Sequence, residues 1–137
     1  MSGCVLHITG AAFDPTALDL GSLQPYAAFR AGDPCSPGGE RRHDRGGLKC
    51  LASERLLGDL PGQIEDVTTF LERHQAALAS LLGRGDVDDA YLDFAVDCRL
   101  ARPGVAVQID CLPPKLLLLA GRLGIGIMLS TYPASER

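Results

Sequence analysis

The sequence predicts an α+β fold: a two-layer sandwich with a mainly antiparallel sheet of five or six strands and its helices on one face. Three observations carry this. Several short segments alternate apolar and polar residues with the period of a half-buried strand, three others repeat their apolar residues every three or four positions, and Pro or Gly punctuates the joints between them. Alternating strands have one greasy face and one wetter face, so helices covering a single side suffice and the opposite side stays open. A split strand-helix-strand arrangement of the ferredoxin-like kind is the alternative.

Cys4 to Gly10 reads as the first strand, with Cys4, Leu6 and Ile8 on one side and Val5, His7 and Thr9 on the other. Asp14-Pro15 then opens a short helix, since Asp caps free amides and Pro suits the first helical position. A second strand is expected within Tyr26 to Arg30 and a third at Leu48 to Leu51. Between them Gly32 to Gly47 holds Asp33, Glu40 and Asp44 beside Arg41, Arg42 and Arg45, with Cys35 as its apolar residue; it is expected to be a mobile charged loop with nothing to fold around.

Ile64, Val67, Leu71, Leu78, Leu81 and Leu82 place one apolar stripe along a single long helix from Pro61 to Leu82, ended by Gly83. His74 falls on that stripe and reads as a partly buried packing residue. Tyr91 to Leu100 is the cleanest strand: Leu92, Phe94, Val96, Cys98 and Leu100 face one way, and Tyr91, Asp93, Asp97 and Arg99 the other. Arg102-Pro103-Gly104 is expected to fold it into a hairpin with a strand whose Val105, Val107, Ile109 and Cys111 face the core while Gln108 and Asp110 face away. A third helix from Pro113 to Arg122 and a last strand from Ile125 to Tyr132 complete a single domain over residues 1–137.

The chain has 137 residues, 46% of them apolar and 22% charged, and a net charge of -4 from 13 basic and 17 acidic side chains. A chain of this size buries roughly two-thirds of its unfolded surface and needs no disulfide or structural metal. Mild acidity without a basic cluster gives no reason to expect nucleic-acid or acidic-membrane binding. The greasiest stretch, Leu116 to Leu129, is broken by Arg122 and glycines and falls short of the roughly 18 to 20 residues of a spanning helix. Five cysteines at irregular spacings, no C-x-x-C pair and no basic, continuously apolar start point to reduced thiols in the cytoplasm.

Phe13-Asp14-Pro15, Leu23-Gln24-Pro25, Phe29-Arg30-Ala31-Gly32-Asp33-Pro34, Gly46-Gly47-Leu48-Lys49, the pair Ala52-Ser53 and the long acidic helix follow one another in an order that resembles the bacterial domain of unknown function family 4279. The resemblance spans nearly the whole chain, its most specific pieces being F-D-P and R-x-G-D-P. Members commonly carry Trp where this chain has Phe29 and Leu48. The resemblance implies a bacterial α+β domain and implies no activity.

The wetter sheet face is expected to gather His7, Thr9, Tyr91, Asp93, Asp97, Arg99, Gln108 and Asp110, with Arg30 and Lys49 at its edge. Directional hydrogen bonds and charges of both signs suit a polar ligand or a protein partner, while ordinary cross-strand pairing is the plain alternative. The acidic run Asp86, Asp88, Asp89, Asp93, Asp97 lacks the glycine and terminal glutamate of a calcium loop. Cys35, His43 and Cys50 fit no common zinc spacing, no serine sits in a G-x-S-x-G elbow, and the glycines of Gly121 to Gly126 follow a helix instead of opening one. No cofactor is expected.

The function expected is therefore a non-enzymatic binding or protein-interaction domain of the bacterial cytoplasm, with immunity proteins as an analogy. The alternative is a small-molecule enzyme or sensor on the open face, His7 acting as acid or base oriented by Asp93 or Asp97. A homodimer contact over that face is a third reading.

Overall fold

The computed structural model describes residues 2–133. The strands are β1 (Ser2–Gly10), β2 (Ala27–Phe29), β3 (Gly46–Leu56), β4 (Asp89–Asp97) and β5 (Gly126–Tyr132); the helices are α1 (Leu60–Arg73), α2 (Gln75–Leu82) and α3 (Pro114–Leu123). They form an α+β fold around one mixed sheet in the order β2-β3-β1-β4-β5. The first three neighbouring pairs are antiparallel and β4 with β5 is parallel. Because β3 and β4 both run antiparallel to β1, they run parallel to each other on either side of it, joined through α1 and α2. That is a split strand-helix-strand unit, followed by the parallel unit β4-α3-β5.

The core lies between the sheet and the helices. Cys4, Leu6 and Ile8 of β1, Leu48, Cys50 and Ala52 of β3, and Leu92, Phe94 and Val96 of β4 are buried against Leu60, Ile64, Val67 and Leu71 of α1, Leu78 and Leu81 of α2, and Leu116 and Ala120 of α3. The alternation in β1 and β4 therefore chooses the face as the residues indicate. Asp59 caps α1 by accepting from the Gly62 amide (2.9 Å), and Pro61 occupies its first turn. The F-D-P motif acts at the sheet's end: Phe13 is buried, and Asp14 caps a short 3-10 turn at Pro15–Ala17. Gly46 is required beside it, since a Cβ there would meet the Phe13 carbonyl oxygen. Gly3, at φ 81°, lies at a register shift between β1 and β3, and the pairing of β1 with β4 ends next to it at Cys4.

Several expectations are corrected. The single long helix is two, broken at His74, where no Gly or Pro stands; the bend lets α2 keep Leu78 and Leu81 in the core. The hairpin strand at Val105 to Cys111 does not form, and Val107 and Ile109 are 67% and 81% exposed. Beyond Phe94, where it would pair with β4, side chains take the free edge instead: Gln63 at Ala95 and Gln108 at the Asp97 carbonyl. β4 itself stops at Asp97, where its pairing with β5 ends at Tyr132, and Leu100 is exposed instead of buried. Finally, β3 extends from Gly46 to Leu56, well beyond Leu48 to Leu51, while β2 is shorter than Tyr26 to Arg30.

The charged loop has something to fold around after all. His43 stacks on Phe29 with ring centroids 3.6 Å apart, and backbone bonds join Gly32 to His43, Cys35 to Arg41 and His43 to Asp33. The R-x-G-D-P motif makes its first turn: Asp33 accepts from the Arg30 amide (2.8 Å), and Gly32 takes φ 92°.

Candidate functional site

The predicted site residues separate into three places. On the open sheet face β1 lies between β3 and β4, which sets His7 beside Lys49 on one side and Tyr91 on the other. The imidazole stacks on the phenol ring with centroids 4.8 Å apart and planes 12° from parallel. Partial burial, and then the nearby Lys49 ammonium, hold the His7 pKa below its ordinary value, with Asp93 opposing. Asp93, one pair along on β4, accepts from the Ser130 hydroxyl at 2.6 Å. Among the described residues no hydrogen bond joins His7 to either Asp93 or Asp97, so the acid-base pair expected on this face is not assembled.

Asp97, Arg99 and Gln108 lie at the far end of β4 and are engaged with one another. Arg102 donates to the buried Asp97 carboxylate (2.7 Å). Gln108 accepts from the Arg99 amide (2.8 Å) and donates to the Asp97 carbonyl (3.1 Å), while Arg99 and Asp110 form an ion pair at 2.8 Å. Hydrogen bonds from Gln108 and Arg99 hold the Asp110 carboxyl below the usual carboxylate range. This is a clip that pins the segment after β4, and its polar groups face one another. Arg30 sits apart in the charged loop, paired with Asp33 at 3.7 Å.

Other candidates are likewise engaged. Asp86 pairs with Arg84, and Asp88 and Asp89 share Arg45. Cys50 is buried in the core, where desolvation raises its pKa to about 11, whereas Cys35 is exposed in the loop. Among the described residues no three His, Cys, Asp or Glu side chains are grouped to hold a metal ion, and no helix is long and apolar enough to cross a membrane.

A concavity that could receive a partner lies elsewhere. β2 covers β3 only from Gly47 to Lys49, and the segment before it reaches back to Ser22, which bonds His74 at the end of α1. The rest of β3 faces α1 across a groove of about 870 Å³, lined by Leu51 to Arg55, by Glu65, Asp66, Thr69, Phe70, Arg73 and His74, and by Ser22 and Gln24 at one end. Ser53 donates to Asp66 (2.8 Å), which also holds Arg55 at 3.2 Å, so the floor is fixed. The His74 ring is oriented by Ser22 (2.7 Å), and burial with the Arg73 charge lowers its pKa. Glu54, Glu65 and Arg73 line the same groove and enter no ion pair or side-chain hydrogen bond among the described residues.

Comparison with protein-family models, curated proteins and solved structures finds no match.

Sequence reasoning missed this groove because a single sequence does not disclose which strand lies at an edge. It also passed over Gln63, fully buried on the apolar stripe of α1, whose amide donates to the Ala95 carbonyl (2.9 Å) and accepts from the Ala95 amide (3.2 Å). The signal was present: Gln63 stands three residues after Leu60 and four before Val67, a polar group at a core position.

Proposed function

We propose that this chain is a non-enzymatic binding domain that holds a partner in the groove between β3 and α1. The observation that carries the reading is the concentration of unengaged charge there: Glu54, Glu65 and Arg73 stand free over a floor fixed by Ser53, Asp66 and Arg55. Elsewhere the acidic candidates Asp86, Asp88, Asp89, Asp97 and Asp110 are tied to arginines in pairs that stabilise the chain itself. Such a site binds by complementarity without chemistry on its ligand. With the F-D-P and R-x-G-D-P motifs, we also place the chain beside the domain of unknown function family 4279, as a protein-interaction domain of a bacterial cytoplasm with a role of the immunity kind.

The test is amide-resolved NMR mapping of binders selected from peptide and small-molecule libraries. Shifts confined to Leu51–Arg55 and Glu65–His74 are the expected result. Binders that shift only His7, Lys49 and Tyr91 would replace this reading with a second one, a small-ligand sensor on the open face. That second reading is favoured by one observation, the stacked and largely neutral imidazole of His7. It requires His7→Ala to abolish ligand binding in a protein that still folds.

A further inference from the structure

The groove's walls also indicate the form of what fills it. We propose that the occupant is an extended peptide segment that adds to the outer edge of β3 as an antiparallel strand, its cationic side chain toward Glu54 and Glu65 and its carboxylate toward Arg73. The proposal rests on the groove being the binding site and names the class of ligand it takes.

The backbone supplies the first argument. The Tyr26 amide donates to the Lys49 carbonyl (2.9 Å), so the peptide groups of Lys49 face the β2 side of β3. Strand alternation then turns the N–H and C=O of Leu51 to that same side, where no strand lies beside them. Strand pairing ends at Ala27 opposite Lys49, so beyond it β3 from Leu51 onward borders the groove beside α1. An added strand would satisfy those groups, the mode of recognition open to any exposed sheet edge.

Charge supplies the second argument and sets the direction. β3 turns back into α1 through Gly58 and Asp59, so the helix runs antiparallel to the strand, with the Ser53–Asp66 bond fixing their register. Glu54 and Glu65 therefore mark one end of the groove, and Arg73 marks the other, near Leu51 and Gln24. From Glu65 to Arg73 the helix rises about 12 Å. Four steps of an extended chain cover about 13 Å. An antiparallel strand enters at the acidic end and leaves at the basic one, so its cation must precede its carboxylate by about four residues. The reverse order would set like charges against each other at both ends.

The experiment titrates the labelled protein with acetyl-Lys-Val-Thr-Val-Asp-amide and with its reverse, acetyl-Asp-Val-Thr-Val-Lys-amide. We expect shifts at Leu51–Arg55 and Glu65–His74, with the first peptide bound at least about tenfold more tightly, a difference of about 1.4 kcal/mol. The Glu65→Lys/Arg73→Glu double variant should invert that order. N-methylation at successive central amides should remove binding at one parity and spare it at the other, as strand pairing demands. Equal affinity for the two peptides, or indifference to N-methylation, overturns the proposal. So does failure of both peptides to shift groove amides; if library binders still map there, the groove remains the binding site and only the strand mode is lost.

Discussion

Two places in this sheet pose the same problem and answer it differently. Beyond Phe94, β4 outruns β1; beyond Lys49, β3 outruns β2. At the first, the chain closes the gap itself. Gln63 offers its amide to Ala95 much as a neighbouring strand would and also reaches the Leu56 carbonyl (3.3 Å), while the clip of Asp97, Arg99, Arg102, Gln108 and Asp110 secures the strand's end. At the second, no strand among the described residues pairs with β3 past Lys49, and a charged groove remains. A buried backbone group without a partner costs more than most surface contacts return, so a filled gap marks stability and an unfilled, solvent-lined one marks a place for a partner.

This contrast is broken most sharply at Gln63. Gln63→Leu strands the Ala95 N–H and C=O, and should destabilise the fold by about 2 to 4 kcal/mol in urea denaturation. A loss under 1 kcal/mol would mean that water or a shifted β1 fills the gap just as well. Next comes the clip: Arg102→Ala leaves the buried Asp97 without its guanidinium donor. Because Arg102 is itself half exposed, we expect a loss of only about 1 to 2 kcal/mol, with faster proteolysis between Val105 and Leu112. In the groove, Glu65→Lys and Arg73→Glu should each change stability by no more than about 0.5 kcal/mol, since neither side chain is engaged, while altering partner binding. Loss of stability on the scale of Gln63→Leu would show that these residues hold the fold.

The smallest effect concerns pH. His7 and His74 have folded pKa values below the ordinary 6.5, so on acidification the unfolded chain takes up protons first. Their stability contribution is full above 6.5 and declines as pH falls through the folded values. A His7→Gln, His74→Gln double variant should show a flatter stability profile over that window; an unchanged slope would place both imidazoles in solvent-like surroundings.

Much of the fold was legible because burial imposes a period. Leu6 and Ile8, Leu92 and Phe94, and Val67 and Leu71 all lie on the faces their spacing indicates. What alternation does not encode is the number of free edges. Val105 to Cys111 alternates as well as many strands do, yet the edge of β4 that it would use is held by the Gln63 and Gln108 side chains, and Val107 and Ile109 are left in solvent. The break at His74 carries no local signal because the shape of the core imposes it. For the site, alternation put His7, Tyr91 and Asp93 on one face with Lys49 at its edge, and the register sets Lys49 and Tyr91 on either side of His7. The sequence joined Asp97, Arg99 and Gln108 to them through a strand that does not form, and could not see Glu54, Glu65 and Arg73 converging from separate elements.

Amide hydrogen exchange at adjacent residues of β3 tests the open edge most directly. The Cys50 amide faces β1 and the Leu51 amide faces the vacant lane, so Leu51 should exchange far faster than Cys50 in the free protein, and slow when the Lys-to-Asp peptide is added. A Leu51 amide as protected as Cys50 before any peptide is present would show the lane already filled, and would contradict the account.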